Sequence, residues 1–158
     1  MASNGRIILT PYEIVLAAGV GVRRRTASIR LKNKDHDHFS GSGVGHWDVD
    51  IEGALAELAF AKHMDLYWDG SVNTGKAADV GGYQVRHTLH EDGCLIVRQR
   101  DSIDDRYALV TGNHIDGYLV RGWRFGYEAT TDDYLRNPGN KEPAWFVPQS
   151  DLWVCDGD

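Results

Sequence analysis

The chain lacks any run of about eighteen or more apolar residues, so the sequence predicts no membrane-spanning helix. No basic region precedes the apolar stretch at residues 12–22, so no secretory signal is predicted and a cytoplasmic location is expected. Cysteine is scarce: Cys94 and Cys155 are the two present, at no spacing typical of a metal site. A disulfide is open to them, but two ordinary thiols are the preferred interpretation.

Positive charge is also in short supply. The chain has 17 Lys and Arg against 23 Asp and Glu, a formal net charge of −6, which argues against a general basic coat for nucleic acid. One group of basic residues is nevertheless uninterrupted by any acid. Its members are Arg23, Arg24, Arg25, Arg30, Lys32 and Lys34. This group could follow a phosphate backbone, which makes DNA an expected partner, or it could be the solvated positive face of a helix.

An amphipathic helix is predicted around Glu57. Apolar residues recur there at steps of three and four, namely Ile51, Ala54, Leu55, Leu58, Ala59 and Ala61. Glu57 does not fit this pattern, because the residues three and four positions away are small or apolar and offer no basic partner. A buried carboxylate would need a partner elsewhere in the fold, and that partner could be a metal ion. The alternative is a boundary glutamate that reaches solvent.

A hairpin is predicted after this helix. Gly81-Gly82 suits a two-residue type I′ turn, because both positions tolerate positive φ. In that register Asp79 lies opposite Gln84, with Arg86 as a diagonal neighbour, so three polar groups share one face of the strand. Tyr83 and Val85 occupy the other face. The alternative is a hairpin facing solvent with an Asp79–Arg86 ion pair worth at most about 1 kcal/mol.

The helix acid, the strand aspartate and the polar-x-basic triplet, over residues 51–88, resemble the motif of the PD-(D/E)XK nuclease superfamily of restriction-endonuclease-like proteins. The resemblance implies that Glu57, Asp79 and Gln84, with the backbone carbonyl of Val85, hold Mg²⁺ or Mn²⁺. It also implies that Arg86 replaces the motif lysine in a DNA-cleaving hydrolase. A phage or mobile-element origin and a homo-oligomer are further expectations from the same resemblance.

The triplet departs from the superfamily pattern at two positions. Gln84 stands in place of glutamate; its carbonyl oxygen can bind Mg²⁺, but it brings no negative charge, so weaker metal affinity is expected. Arg86 stands in place of lysine and stays protonated, so it can orient water or stabilise phosphate charge but cannot act as a base. Two functions stay open: a metal-dependent nuclease, and a catalytically degenerate module that binds nucleic acid or protein.

The expected fold is one α+β domain over residues 1–158 with a restriction-endonuclease-like core. N-terminal helices and a mobile loop are expected over residues 1–47, and the nuclease-like core over residues 48–158. Thr10-Pro11 predicts the start of a first helix that weakens at Gly19 and Gly21. The core should hold the motif helix and one central sheet, mixed or mostly antiparallel, of four or five short strands with the hairpin at its centre.

Several local features complete the prediction. Gly122 within a strand predicts a bulge. A short helix is expected over residues 127–135, and residues 145–148 should form an edge strand. The glycine- and serine-rich segment 35–46 carries four adjacent candidate metal ligands at residues 35–38, but adjacent loop residues rarely converge on one ion without a distant ligand. A mobile loop facing the substrate is therefore the preferred interpretation.

Overall fold

The protein is described from a computed structural model, which covers residues 5–31, 46–72, 77–139 and 141–156. Within them the chain forms three α-helices and six strands, an α+β fold as predicted. In chain order these are α1 (Pro11–Leu31), α2 (His46–His63), β1 (Tyr83–Thr88), β2 (Leu95–Arg98), β3 (Arg106–Asn113), β4 (Gly117–Phe125), α3 (Gly126–Ala129), β5 (Leu135–Arg136) and β6 (Ala144–Val147). No helix within these ranges is both long and apolar enough to cross a bilayer.

Helix α1 begins where the sequence predicts. The Thr10 hydroxyl accepts the Glu13 backbone N–H at 3.2 Å, and the Glu13 carboxylate accepts the Thr10 N–H at 2.7 Å, which is a capping box. The predicted weakening at Gly19 and Gly21 is wrong, because α1 runs unbroken to Leu31. Gly21 lies where α1 crosses α2, and a Cβ there would stand 2.5 Å from the Ile51 Cα, so the close crossing requires glycine.

The strands form two three-stranded sheets, in the orders β1-β3-β4 and β2-β6-β5, and the prediction of a single sheet of four or five strands is wrong. Strand β3 separates two cores. Ala108 and Val110 join the core under α1 and α2, whereas Tyr107 and Leu109 join the core shared with the second sheet. The protein therefore has three layers, with the first sheet between the helices and the second sheet.

Strand β1 pairs with β3 in parallel, from Tyr83 opposite Arg106 to Thr88 opposite Thr111. Antiparallel neighbours were expected because the gaps seemed too short for a crossover. The crossover is made by β2, which leaves the first sheet and pairs with β6 in the second. As a result β1 is an edge strand of its sheet, and the predicted central position of the hairpin is wrong.

Other local predictions met mixed outcomes. The pairing of β3 with β4 shifts between Leu109 and Val110, opposite Gly122, which confirms the bulge. The helix expected over residues 127–135 is limited to α3. Strand β6 lies between β2 and β5, so it is the centre of its sheet and the predicted edge position is wrong. Cys94 and Cys155 are both free thiols, as preferred.

Candidate functional site

The turn before β1 has the predicted form. Gly81 and Gly82 have φ angles of 52° and 82°, and Val80 bridges Tyr83 across them. The hairpin ladder expected beyond the turn does not form. Among residues 77–80, Val80 alone forms a β-bridge. The Tyr83 carbonyl accepts the backbone N–H groups of both Val80 and Asp79. The tight turn therefore delivers Asp79 to the edge of β1.

Asp79 is fixed against the backbone of β1. Its carboxylate accepts the Val85 N–H at 2.8 Å, where the sequence had suggested a position opposite Gln84. In an extended strand the N–H and C=O of one residue point to the same edge. The Val85 carbonyl is therefore directed to the edge of β1 where Asp79 lies.

Glu57 is 6% exposed, so the boundary-residue alternative is wrong. Its partner comes from α1: the Arg24 guanidinium donates to both carboxylate oxygens, at 2.6 and 2.9 Å. The Trp68 indole N–H donates to the second oxygen at 3.0 Å. Glu57 thus has the distant partner that its sequence neighbours could not supply, and that partner is a guanidinium.

Arg24 is held as firmly as its carboxylate. Its Nε donates to the Ser71 carbonyl at 3.0 Å. Burial opposes the charge on Arg24, but the hydrogen bond and the negative charge of Glu57 outweigh burial, so the Arg24 pKa is raised above its ordinary value. The sequence places Arg24 in the basic group and gives no signal for this pairing, because the two residues are 33 positions apart on different helices.

Burial and the negative charge of Glu57 both change the pKa of Asp79. Burial and then the Glu57 charge raise the pKa of Asp79 to about 6, and the Val85 N–H and the positive charges of Arg86 and Arg24 only partly offset this rise. Asp79 is therefore within electrostatic range of these three charged side chains. We call Glu57, Asp79 and Arg24 the carboxylate–arginine cluster. A strongly shifted carboxyl beside a second carboxylate is typical of functional sites.

Gln84 and Arg86 lie on the face of β1 opposite the helices. Arg86 forms an ion pair with Asp101 at 2.9 Å, and its guanidinium stands 5.1 Å from the centre of the Tyr107 ring. The Gln84 amide donates to the Ala77 carbonyl at 3.3 Å and to Asp105 at 3.4 Å. The Gln84 side chain therefore has a different set of partners from Glu57 and Asp79.

Two clefts flank β1, and Arg86 lines both. The larger, about 700 Å³, lies between β1 and the second sheet and is lined by Arg86, Arg98 and Phe146 among others. The smaller, about 410 Å³, lies between β1 and α2 and includes Asp48 and Glu52 in its wall. Val85 and Arg86 line the smaller cleft, whereas Glu57, Asp79 and Arg24 line neither cleft.

The basic group predicted to bind nucleic acid is divided. Arg23 and Arg30 are exposed on α1. Arg24 is committed to Glu57, and Arg25, which is 7% exposed, pairs with Asp50 at 2.8 Å. Lys32, Lys34 and residues 35–45 of the predicted loop lie outside the described residues, and His46, the last residue of that loop prediction, begins α2. Only part of the group is therefore available at the surface of α1.

The donor set around Asp79 suits a hard cation. Within the described ranges, no three His, Cys, Asp or Glu side chains are grouped as metal ligands. Two carboxylates, Glu57 and Asp79, and the Val85 carbonyl remain, and all three offer the oxygen ligands that Mg²⁺ prefers. Two like charges in a buried region also gain from a cation between them. These residues therefore fit the predicted ion, with Arg24 as its competitor.

Comparison with known proteins identifies no relative. Family models, curated proteins and solved structures were all searched, and none of the three comparisons gave a match. The residues of the site therefore carry the functional argument.

Proposed function

We propose that this protein is a Mg²⁺- or Mn²⁺-dependent nuclease that hydrolyses phosphodiester bonds of DNA at the edge of β1. One observation carries the proposal: Asp79, with a pKa raised to about 6, lies within the field of a second buried carboxylate, Glu57. Two carboxylates buried near each other repel unless a cation or a proton compensates one of the charges. A bound metal ion would provide this compensation and would also catalyse hydrolysis.

In this proposal Asp79 is the central ligand, with the Val85 carbonyl and Glu57 beside it. Arg24 holds both oxygens of Glu57, so Glu57 reaches a cation only when the guanidinium releases one of them. Gln84 is left out of the proposed ligand set because its side chain lies on the face of β1 opposite the helices, where its NH₂ group donates to Ala77 and Asp105. The bound ion would lower the pKa of an attacking water.

Arg86 is the residue proposed to bind the scissile phosphate. Its planar guanidinium can form two parallel hydrogen bonds to phosphate oxygens. It lines the clefts on both sides of β1, so it can reach a backbone that passes along the edge. Asp101 and the Tyr107 ring hold the side chain in place until substrate arrives.

A second candidate is a non-catalytic module that binds nucleic acid or protein. The bidentate Arg24–Glu57 pair favours it, because the guanidinium already neutralises the helix acid without any metal. In this case the carboxylate–arginine cluster stabilises the fold, and Arg86 with the exposed Arg23 and Arg30 forms the binding surface. The nuclease would cleave DNA when a divalent cation is present, whereas the binding module would leave the DNA intact.

The test is cleavage of plasmid and single-stranded DNA with and without Mg²⁺ or Mn²⁺. We expect metal-dependent cleavage by the wild type, loss of at least about a hundredfold in rate for Asp79→Ala, and wild-type cleavage by the control Asp132→Ala, whose side chain is exposed on the chain before β5. Equal cleavage by wild type and Asp79→Ala, or cleavage by neither, overturns the nuclease proposal. Binding of intact DNA in the absence of divalent metal would then favour the second candidate.

A further inference from the structure

The larger of the two clefts beside β1 has the size of a small-molecule site. Its volume of about 700 Å³ lies within the range of about 300–1,000 Å³ that is typical of ligand pockets. Strand β1 contributes Arg86 to its wall, and strand β2 contributes Ile96 and Arg98. The carboxylate–arginine cluster does not line this cleft, so the cleft has side chains of its own and shares Arg86 with the proposed phosphate-binding site.

Arg86 is held at this wall by two contacts. It forms an ion pair with one Asp101 oxygen at 2.9 Å, and its guanidinium stands 5.1 Å from the centre of the Tyr107 ring. The other Asp101 oxygen accepts the Arg98 backbone N–H at 2.8 Å. One carboxylate therefore contacts both walls of the cleft, and each wall carries a guanidinium. The Arg86 side chain is 35% exposed, so part of it stays accessible to a ligand.

The acids of the cleft leave one of its cations unpaired. Asp101 pairs with Arg86, and a second acid, Glu91, already pairs with two arginines outside the cleft. The third acid, Asp92, is exposed, and among the described residues it forms no ion pair with either arginine of the cleft. Within the same part of the chain, the Arg98 guanidinium has no partner. A cation is therefore available to an anionic ligand, close to the already oriented Arg86.

An apolar surface lies on the same face of β2 as this cation. Arg98 follows Ile96 by two residues, so the two side chains point to the same side of the strand. Ile96 is directly opposite Phe146 in the pairing of β2 with β6, and directly opposed residues also share a side. Ile96 and Phe146 both line the cleft and are both half-buried, so the Phe146 ring has area left for a planar ligand. The cleft thus combines cationic groups with an aromatic surface.

We propose that this cleft binds a nucleotide of a single DNA strand, with the base on Phe146 and the phosphate between Arg86 and Arg98. Single-strand binding commonly combines bases stacked on aromatic side chains with cationic contacts to the backbone. A base inside a duplex could enter only after it had left the stack, which costs free energy. The nucleotide site rests on the phosphate-binding role proposed for Arg86, but it requires no metal ion at Asp79.

Binding of deoxyadenosine monophosphate (dAMP) in the presence of EDTA tests the site without any cleavage. Two-dimensional amide NMR spectra should show saturable binding with a dissociation constant below about 1 mM, with the largest shifts at residues 86–101 and at Phe146. Deoxyadenosine, which lacks the phosphate, and inorganic phosphate, which lacks the base, should each bind at least about tenfold more weakly. The proposal is overturned if dAMP does not saturate by about 10 mM, if the shifts map to another surface, or if phosphate alone binds as tightly.

Two substitutions test the two halves of the ligand. Arg98→Gln should weaken dAMP binding at least about tenfold, because it removes a charged contact to the phosphate. Phe146→Leu should weaken it at least about fivefold, because it keeps an apolar side chain but removes the aromatic face. Arg136→Gln and Tyr127→Leu are the matched controls: Arg136 is an exposed arginine on β5 of the same sheet, Tyr127 is a 54% exposed aromatic residue, and neither lines a cleft. Unchanged dAMP affinity in both cleft variants would overturn the assignment.

Competition distinguishes a DNA strand from a free nucleotide as the ligand. A short single-stranded oligonucleotide should displace dAMP from the cleft, whereas a blunt duplex of the same sequence should not. Displacement by neither would overturn the assignment to a strand, in favour of a free nucleotide. Metal-dependent DNA cleavage by a chain that does not bind dAMP would overturn the nucleotide site and leave the nuclease proposal standing. Binding of dAMP without any DNA cleavage would support the nucleotide site and overturn the nuclease proposal.

Discussion

Replacing Glu57 with alanine should lower the free energy of unfolding by about 3–5 kcal/mol, the cost of leaving one partner of a buried ion pair alone. Arg24 would lose two charge-assisted hydrogen bonds, and the Trp68 indole would lose its acceptor. Urea denaturation followed by tryptophan fluorescence measures the change. The m-value, which is the slope of the unfolding free energy against urea concentration, should be the same in the variant and the wild type if only the folded state is affected.

Two variants control this result. Glu91→Ala removes an acid that is 52% exposed and pairs with Arg6 at the surface, so its loss should cost at most about 1 kcal/mol. The double change Arg24→Met with Glu57→Leu replaces both charges by apolar groups and should recover most of the stability lost by Glu57→Ala. If Glu57→Ala were no more destabilising than Glu91→Ala, the buried pair would not have the importance we assign to it.

Replacing Asp79 with asparagine should have the opposite effect and stabilise the protein above pH 6. The Asp79 pKa is raised from 3.8 to about 6, so between these values the folded protein binds more protons than the unfolded chain, and stability falls as pH rises. Two pKa units correspond to about 3 kcal/mol, which is the upper limit of the gain at pH 8. Asparagine keeps an oxygen that can accept the Val85 N–H.

The pH dependence is the signature of this effect. Thermal unfolding without divalent metal, from pH 3.5 to pH 8, should show a Tm difference between Asp79→Asn and wild type that is largest at pH 8. The difference should disappear near pH 3.5, where the wild-type carboxyl is protonated in both states. Asp132→Asn should show no such trend. Destabilisation by Asp79→Asn at pH 8 would indicate a favourably paired aspartate and would contradict the charge environment described here.

Local sequence signals predicted the start of α1, the position of α2 and the turn at Gly81-Gly82. Each depends on residues within four positions of one another, such as the Thr10–Glu13 capping box. The mismatch of Glu57 with its helical neighbours correctly indicated a distant partner. The Gly81-Gly82 turn also predicted that Asp79 lies close to β1, because a two-residue turn places the residues before it beside the strand that follows.

The remaining features depend on contacts that are long in sequence. Arg24 reaches Glu57 from another helix, and a row of arginines looks the same whether it faces solvent or a carboxylate. The division into two sheets was missed because β2 and β3 are both short apolar strands, and periodicity does not say which sheet a strand joins. Since β2 leaves the first sheet, β1 and β3 become parallel neighbours.

The central claim is that Asp79, Glu57 and the Val85 carbonyl can hold a divalent cation. Anomalous diffraction from crystals soaked in Mn²⁺ tests it most directly, with Asp79→Asn crystals as the control. The account predicts an anomalous peak within about 2.5 Å of the Asp79 carboxylate in the wild type, a shift of Arg24 away from one Glu57 oxygen, and no peak in the variant. A wild-type structure with no peak at Asp79 and with Arg24 still bonded to both Glu57 oxygens would contradict it.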